Sequence, residues 1–129
     1  MAVVLLLEDD PGLQFTFGEA LRDAGYVVRA VSNNEEAMQE LRRSTPDVLL
    51  LDLMIGGGMS TDVANYAVYA APDAEVIFMT GSGLFPKGEL FAMSHNARLV
   101  LRKPVDLREL TTMVSHVVDE TVQNVPATM

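Results

Sequence analysis

Residues 48–52 read Val48-Leu49-Leu50-Leu51-Asp52, four large apolar residues followed by a carboxylate. An apolar run of this length predicts a strand that is buried on both faces, as in the middle of a parallel sheet covered by helices. Residues 56–58, shortly afterwards, are all glycine. In open α/β sheets, ligands bind beyond the carboxyl ends of the strands. Asp52 is therefore either a cap or a reactive group, and the remaining sequence decides between these roles.

The composition predicts one domain and excludes several classes of function. The chain has 129 residues, of which 49% are hydrophobic, and this is enough to form one substantial core. No apolar run approaches the length of a membrane span and no basic segment precedes the first one, so we expect a cytoplasmic protein without a membrane partner. The net charge of −9 argues against direct binding of nucleic acid. The absence of cysteine excludes disulfides and thiolate metal sites.

Strand-like and helix-like segments alternate along the chain. Apolar runs predict five strands, at residues 3–7, 26–31, 48–52, 75–79 and 98–101. Apolar residues at helical spacing predict a helix after each strand, the fourth of them from Pro86 to about Asn96. Right-handed crossovers then give a doubly wound α/β fold, a flavodoxin-like (βα)5 arrangement whose five-stranded parallel sheet has the order 2-1-3-4-5. We expect one domain over residues 1–123 and a frayed tail over 124–129.

Capping signals precede four of the predicted helices. Short polar side chains at these places can accept hydrogen bonds from the first free N–H groups of a helix. The candidates, in chain order, are Asp10, the Ser32 and Glu35 capping box, Ser60 or Thr61, and the Asp106 and Glu109 capping box.

Carboxylates, a hydroxyl and a lysine collect at the predicted strand ends. Glu8 and Asp9 follow the first strand, Asp52 ends the third, and Thr80 and Lys103 follow the fourth and fifth. In the 2-1-3-4-5 order these side chains surround the crevice where the strand order reverses. Clustered carboxylates repel each other unless a cation joins them, and hard oxygen ligands favour Mg²⁺. A phosphoryl group on Asp52 would complete this coordination, with Lys103 and Thr80 binding its oxygens.

This combination resembles the receiver domain of bacterial response regulators, over residues 3–122. That family has an acidic pair after the first strand, a phosphoacceptor aspartate after the third, threonine or serine after the fourth and Lys-Pro after the fifth. In this chain the same places are taken by Glu8 and Asp9, by Asp52, by Thr80 and by Lys103-Pro104. Each motif alone is weak, but the four together in this order are specific.

The resemblance implies how the site would be built. Asp52 would be the phosphoacceptor. Mg²⁺ would bind directly to Asp9, Asp52 and the backbone carbonyl of Met54, and through water to Glu8. The peptide bond before Pro104 would be cis.

The resemblance also implies partners. The phosphoryl group would come from a sensor histidine kinase or a histidine phosphotransfer protein. We expect a stand-alone, single-domain regulator that signals by phosphorylation-dependent binding of an unidentified protein or by phosphorelay. Such a domain is not an enzyme beyond its own phosphorylation and dephosphorylation.

Two positions depart from the family's pattern. Receivers commonly have Met-Pro shortly after the phosphoacceptor, whereas this chain has Ile55-Gly56 and further glycines, which predicts a mobile loop. The family's switch aromatic, three residues before the lysine, is replaced by Val100. A short β-branched side chain cannot make the usual swing of an aromatic ring. We therefore expect activation to order residues 56–58 and 81–88 instead.

Two alternatives stay open. A phosphatase resembling the haloacid dehalogenases also uses an aspartate nucleophile with Mg²⁺, but that family has a second aspartate where this chain has Met54. A pseudo-receiver would act as a constitutive protein-binding module. The complete set of acidic, threonine and lysine residues argues against a pseudo-receiver, whereas Val100 and the glycine segment favour it.

Overall fold

The computed structural model of the protein describes residues 1–81 and 96–123. In chain order its elements are β1 (Val3–Leu7), α1 (Pro11–Asp23), β2 (Val27–Val31), α2 (Asn34–Arg43), β3 (Val48–Asp52), β4 (Met54–Ile55), β5 (Gly58–Met59), α3 (Thr61–Ala70), β6 (Glu75–Thr80), β7 (Ala97–Arg102) and the C-terminal helix (Leu107–Gln123). All five predicted strands are present, with ends within one residue of those predicted. The predicted helix at 86–96 lies almost entirely outside the described residues.

The five long strands form one parallel sheet in the order β2-β1-β3-β6-β7. Since β6 and β7 are the fourth and fifth long strands, this is the predicted order 2-1-3-4-5. β1 lies between β2 and β3, so the order reverses between β1 and β3. The carboxyl ends of these two strands therefore border the crevice where such folds bind ligands.

Alternate side chains of the central strands point into two separate cores. All five residues of β3 are buried, as predicted from their sequence. On one face, Leu49 and Leu51 pack with α2 and α3, whose buried residues are Ala37, Leu41, Val63, Ala64 and Ala67. On the other face, Val48 and Leu50 pack with α1 and the C-terminal helix, whose buried residues are Phe17, Leu21, Leu110, Val114 and Val117. Helices pack on both faces of β3, and this packing positions Asp52 at its end.

The helix caps divide into confirmed and corrected predictions. Asp10 caps α1, because its Oδ1 accepts hydrogen bonds from the N–H groups of residues 12 and 13 at 2.8 and 3.0 Å. The box predicted at Ser32 and Glu35 was wrong by one residue. Asn33 Oδ1 accepts from the Glu36 N–H, and Glu36 Oε1 accepts from the Ser32 N–H, each at 2.8 Å. The same four-residue pattern starts at both positions, so spacing alone could not distinguish them.

The two later caps also differ from each other. Ser60 occupies the N-cap of α3, but its side chain makes no capping hydrogen bond. In contrast, Asp106 Oδ1 accepts from the N–H of Glu109 at 3.0 Å, as expected for the C-terminal helix.

The glycine segment forms the turn of a short β-hairpin rather than an irregular loop, and the mobility expected of it stays a prediction. Met54 and Ile55 pair with Met59 and Gly58 in antiparallel register. The two turn residues, Gly56 and Gly57, have φ angles of 57° and 82°. Positive φ at both central residues is the geometry of a type I′ turn, which favours glycine. Asn34 Nδ2 donates to the carbonyl of Met59 at 3.1 Å, so α2 supports the hairpin.

Candidate functional site

Three carboxylates meet at the carboxyl ends of β1 and β3. Leu7 is paired with Leu51 in the sheet, so Glu8, Asp9 and Asp52 leave the two strands side by side. One oxygen of each carboxylate lies within 4.8 Å of the other two. Glu8 and Asp52 are 1% and 6% exposed, whereas Asp9 is exposed. The acidic pair and the strand-end aspartate predicted from the sequence therefore form one cluster.

Lys103 brings a cation to this cluster from β7. Its Nζ lies 2.9 Å from Glu8 Oε2 and 3.0 Å from Asp52 Oδ2. The backbone N–H of Lys103 donates to the carbonyl of Thr80 at 2.9 Å, which joins the ends of β6 and β7. The peptide bond that follows, to Pro104, is cis, as the resemblance implied. One ammonium group thus bridges two of the three carboxylates.

The cluster carries more negative than positive charge. Burial raises the pKa of Glu8, and repulsion by Asp52 adds to this effect, while the hydrogen bond from Lys103 opposes it. Burial alone would lower the pKa of Lys103, but its bonds to Glu8 and Asp52 outweigh burial, and the pKa is raised. Lys103 is therefore protonated at neutral pH. With every group ionised, three carboxylates and one ammonium leave two negative charges uncompensated.

The two remaining predicted site residues, Thr80 and Met54, also lie near the cluster. Thr80 is close to it in the sheet, and Met54 is close to Asp52 in the chain. Thr80 is buried at the end of β6, and the residue before it, Met79, is paired with Asp52. Met54 follows Asp52 by two residues and begins the hairpin. Their positions agree with the arrangement expected from the sequence. Their roles, as a phosphoryl-binding hydroxyl and a carbonyl ligand, stay predictions.

The sequence profile of the response regulator receiver domain matches residues 4–115. The chain belongs to this family. Receiver domains are phosphoacceptor modules of two-component signalling rather than conventional enzymes. Membership of this family accounts for the sheet order of the chain. It also relates the acidic cluster to phosphoacceptor chemistry.

Individual relatives agree with this assignment. The receiver is 26% identical over 113 residues to the luminescence regulatory protein LuxO of Vibrio campbellii, covering 88% of this chain but 25% of LuxO. The chain thus spans about a quarter of that curated relative's length. The CheY-like receiver domain protein of Methanospirillum hungatei has a TM-score of 0.88 at 20% identity, over 97% of this chain and 99% of that one. Response regulator protein TrrA of Thermotoga maritima, solved in complex with Mg²⁺-BeF, has a TM-score of 0.78 at 25% identity, over 91% and 99%.

Two contacts around the receiver's acidic pair could not have been predicted from the sequence. The N–H of Gly56, in the hairpin turn, donates to Asp9 Oδ2 at 3.4 Å. The side-chain amide of Gln14 donates to the carbonyl of Glu8 at 3.0 Å. The first contact depends on the hairpin and the second on how α1 packs over β1, and neither leaves a local sequence signal.

An apolar cavity of about 450 Å³ adjoins the receiver's acidic cluster. Lys103 belongs both to the cluster and to the cavity wall. The other lining residues come from α1, from the segment that follows β7 and from the first residue of the C-terminal helix: Leu13, Thr16 and Phe17, Pro104 and Val105, and Leu107. Leu107 is 39% exposed, so part of this apolar wall is open to solvent. None of the helices in the described part of the chain has the length and apolar character needed to cross a membrane.

Proposed function

We propose that this receiver accepts a phosphoryl group on Asp52 in a Mg²⁺-dependent reaction and signals by phosphorelay or by phosphorylation-dependent binding of another protein. The observation that carries the proposal is the cluster itself. Three carboxylates lie within 4.8 Å of one another at the end of the fully buried central strand, and Lys103 bridges two of them. A carboxylate nucleophile next to a fixed ammonium group is suited to forming an aspartyl phosphate.

The donor set fits Mg²⁺. This cation prefers oxygen ligands and binds through one or two carboxylates together with waters and phosphate oxygens. Asp9, Asp52 and the Met54 carbonyl would hold it directly, with Glu8 acting through water, and the uncompensated negative charge favours its binding. The Mg²⁺-BeF complex of TrrA supports the same assignment. When bound, Mg²⁺ supplies positive charge that offsets the charge collecting around the transferred group.

Each of the receiver's own residues would then have a separate role in the phosphoryl transfer. A carboxylate oxygen of Asp52 attacks the phosphorus of a phosphohistidine, forming an O–P bond as the P–N bond breaks. The imidazole nitrogen leaves with the electron pair of the broken bond and takes a proton from water. Lys103, already 3.0 Å from Asp52 Oδ2, can bind a phosphoryl oxygen with little movement. The Thr80 hydroxyl can donate to another.

We assign the apolar cavity beside Lys103 to the phosphodonor, a histidine kinase or a histidine phosphotransfer protein. Because Asp52 is only 6% exposed, the donor must cover the rim of the crevice in order to bring its phosphohistidine within reach. The cavity lies on that rim, since Lys103 lines it. An apolar donor side chain that fills it would bury the exposed part of Leu107 and exclude water from the transfer.

The phosphoacceptor is tested by intact-mass measurement after incubation with acetyl phosphate and Mg²⁺. We expect one phosphoryl adduct, which Asp52→Asn abolishes and the matched control Asp10→Asn retains, because Asp10 caps α1 outside the cluster. An undiminished adduct in Asp52→Asn would refute the assignment. An unmodified wild-type protein, with both acetyl phosphate and protein donors, would favour the pseudo-receiver.

The docking surface is tested with Leu107→Ala against Tyr69→Ala, a control that truncates an 84% exposed side chain on α3. The donor is a phosphorylated histidine phosphotransfer protein that modifies the wild type. We expect Leu107→Ala to slow transfer from this protein about tenfold, the effect of losing about 1.4 kcal/mol at an interface. The rate with acetyl phosphate should not change. Equal slowing with both donors would place Leu107 in the chemistry rather than the docking.

A further inference from the structure

Gln14, which the chemistry above does not use, connects the ends of β1 and β2 beside the acidic pair. Its Nε2 lies 3.0 Å from the carbonyl oxygen of Glu8, 3.0 Å from that of Val31 and 3.2 Å from Ser32 Oγ. The two N–H groups of the amide serve these three acceptors, so at least one N–H is shared. The Gln14 side chain is half-buried in the first turns of α1, so these bonds are partly protected from water.

These bonds extend the sheet by one step beyond the end of β1. The backbone N–H of Glu8 donates to the carbonyl of Val31 at 3.1 Å, as in a parallel ladder. The next ladder bond would bring a backbone N–H from the β2 side to the carbonyl of Glu8, but β2 ends at Val31. Gln14 supplies the donor from α1 instead. The chain can therefore leave the sheet after Glu8 while this carbonyl stays hydrogen-bonded.

The carbonyl of Glu8 and the N–H of Asp9 belong to one planar peptide group. A bond that fixes the oxygen therefore fixes the direction in which the chain enters Asp9. Asp9 is itself exposed, and the Gly56 N–H that donates to its carboxylate is 3.4 Å away, a long hydrogen bond. The peptide held by Gln14 is thus the firmer constraint on where the Asp9 carboxylate lies.

We propose that Gln14 is a positioning residue for Mg²⁺ binding, and through it for phosphoryl transfer, because its amide holds the Glu8–Asp9 peptide. This inference rests on the proposed function, which assigns Mg²⁺ to the carboxylate cluster. Partners that orient a metal ligand typically change metal affinity by about 10–100-fold when mutated. Gln14 acts on one ligand through one peptide, so we expect the lower value, about tenfold.

The test compares Gln14→Met, which keeps the side-chain length and removes both donors, with Gln39→Met at an exposed position of α2. Mg²⁺ affinity is measured by calorimetry without a phosphodonor. Initial rates with acetyl phosphate are then measured as a function of Mg²⁺ concentration. In Gln14→Met we expect the Kd for Mg²⁺ and the half-saturating Mg²⁺ concentration to rise about tenfold, with the rate at saturating Mg²⁺ largely retained. Gln39→Met should match the wild type in all three quantities.

A purely structural role of Gln14 would lower thermal stability and leave the Mg²⁺ affinity equal to that of Gln39→Met, and this result would overturn the inference. If Gln14→Met does not fold, Gln14→Asn carries the same test. It keeps a polar amide but withdraws the donors by one methylene, and the same tenfold change is expected. A wild-type protein that neither binds Mg²⁺ nor is phosphorylated would overturn the proposed function as well, so the two failures are distinguishable.

Discussion

Replacing Asp9 by Asn should stabilise the metal-free protein, although Asp9 is a proposed ligand. The Asp9 carboxylate lies within 4.8 Å of those of Glu8 and Asp52, whereas Lys103 donates to the other two. Asparagine removes the negative charge and keeps an oxygen that can accept from the hairpin. The substitution therefore relieves repulsion without breaking either lysine ion pair.

The size of the effect follows from the spacing. Two unit charges 4.8 Å apart repel by about 0.9 kcal/mol at the dielectric constant of water and by about 3.5 kcal/mol at an effective value of 20. Asp9 is exposed, so the lower value is the better guide. We expect Asp9→Asn to raise the free energy of unfolding by about 1 kcal/mol, equivalent to about 4 °C in Tm for a domain of this size.

Mg²⁺ should make the wild type more stable than Asp9→Asn, the reverse of the order expected without metal. At ten times its Kd, a ligand that binds only the folded state stabilises it by about 1.4 kcal/mol. The wild type should gain this amount, and Asp9→Asn, which lacks one ligand, should gain much less. Thermal unfolding followed by circular dichroism, in EDTA and in Mg²⁺, measures both differences. Asp10→Asn is the matched control, since Asn also caps helices well and Asp10 lies outside the cluster.

Two results would refute this reasoning. The first is an Asp9→Asn protein that is less stable than the wild type in EDTA, which would mean that repulsion within the cluster is negligible. The second is an equal response of Asp9→Asn and Asp10→Asn to Mg²⁺, which would remove Asp9 from the metal site.

Three further predictions concern the lysine and the hairpin. Lys103→Met should lower the free energy of unfolding by about 2 kcal/mol. This is less than the full cost of breaking a buried ion pair, because the Lys103 side chain is 19% exposed. An unchanged denaturation midpoint would show that its ion pairs contribute nothing. Gly57→Ala should cost about 1 kcal/mol because φ is 82° there, whereas Gly58→Ala, with negative φ and ordinary contacts, is the control. Phosphorylation should increase hydrogen-exchange protection at residues 54–59, and unchanged protection there would mean that the hairpin does not transmit the signal.

The fold could be predicted from sequence because its signals are local and repeated. The run at 48–52 identifies the buried strand, and alternation of strands and helices leaves few possible topologies once crossovers are right-handed. The same topology brings Asp52 next to Glu8 and Asp9, so the acidic cluster could be predicted too. Each of these steps needs only patterns within a short segment and a general rule of chain connection.

Other features could not be predicted because they depend on contacts between distant segments. A glycine run is compatible with many conformations, and the type I′ turn at Gly56 and Gly57 follows only once Met54 is known to pair with Met59. The bond from Gln14 to the Glu8 carbonyl depends on how α1 lies across the ends of β1 and β2. The segment 82–88, where further ordering on activation is expected, lies outside the described residues.

The opposite effects expected for Asp9 and Lys103 distinguish a prepared cation site from a structural ion-pair network. In a network with balanced charge, removal of any member leaves an unpaired partner and destabilises the fold. In this cluster, one ammonium group bonds to two of three neighbouring carboxylates, Glu8 and Asp52, and Asp9 has no ion pair with it. Burial raises the pKa of Glu8 even with Lys103 beside it. Removal of the Asp9 carboxylate should therefore stabilise the metal-free protein, while removal of the lysine should destabilise it. Binding sites commonly lower the stability of the protein that carries them. Here the free energy of unfolding that is lost to carboxylate repulsion would be recovered when a cation binds and neutralises the surplus charge.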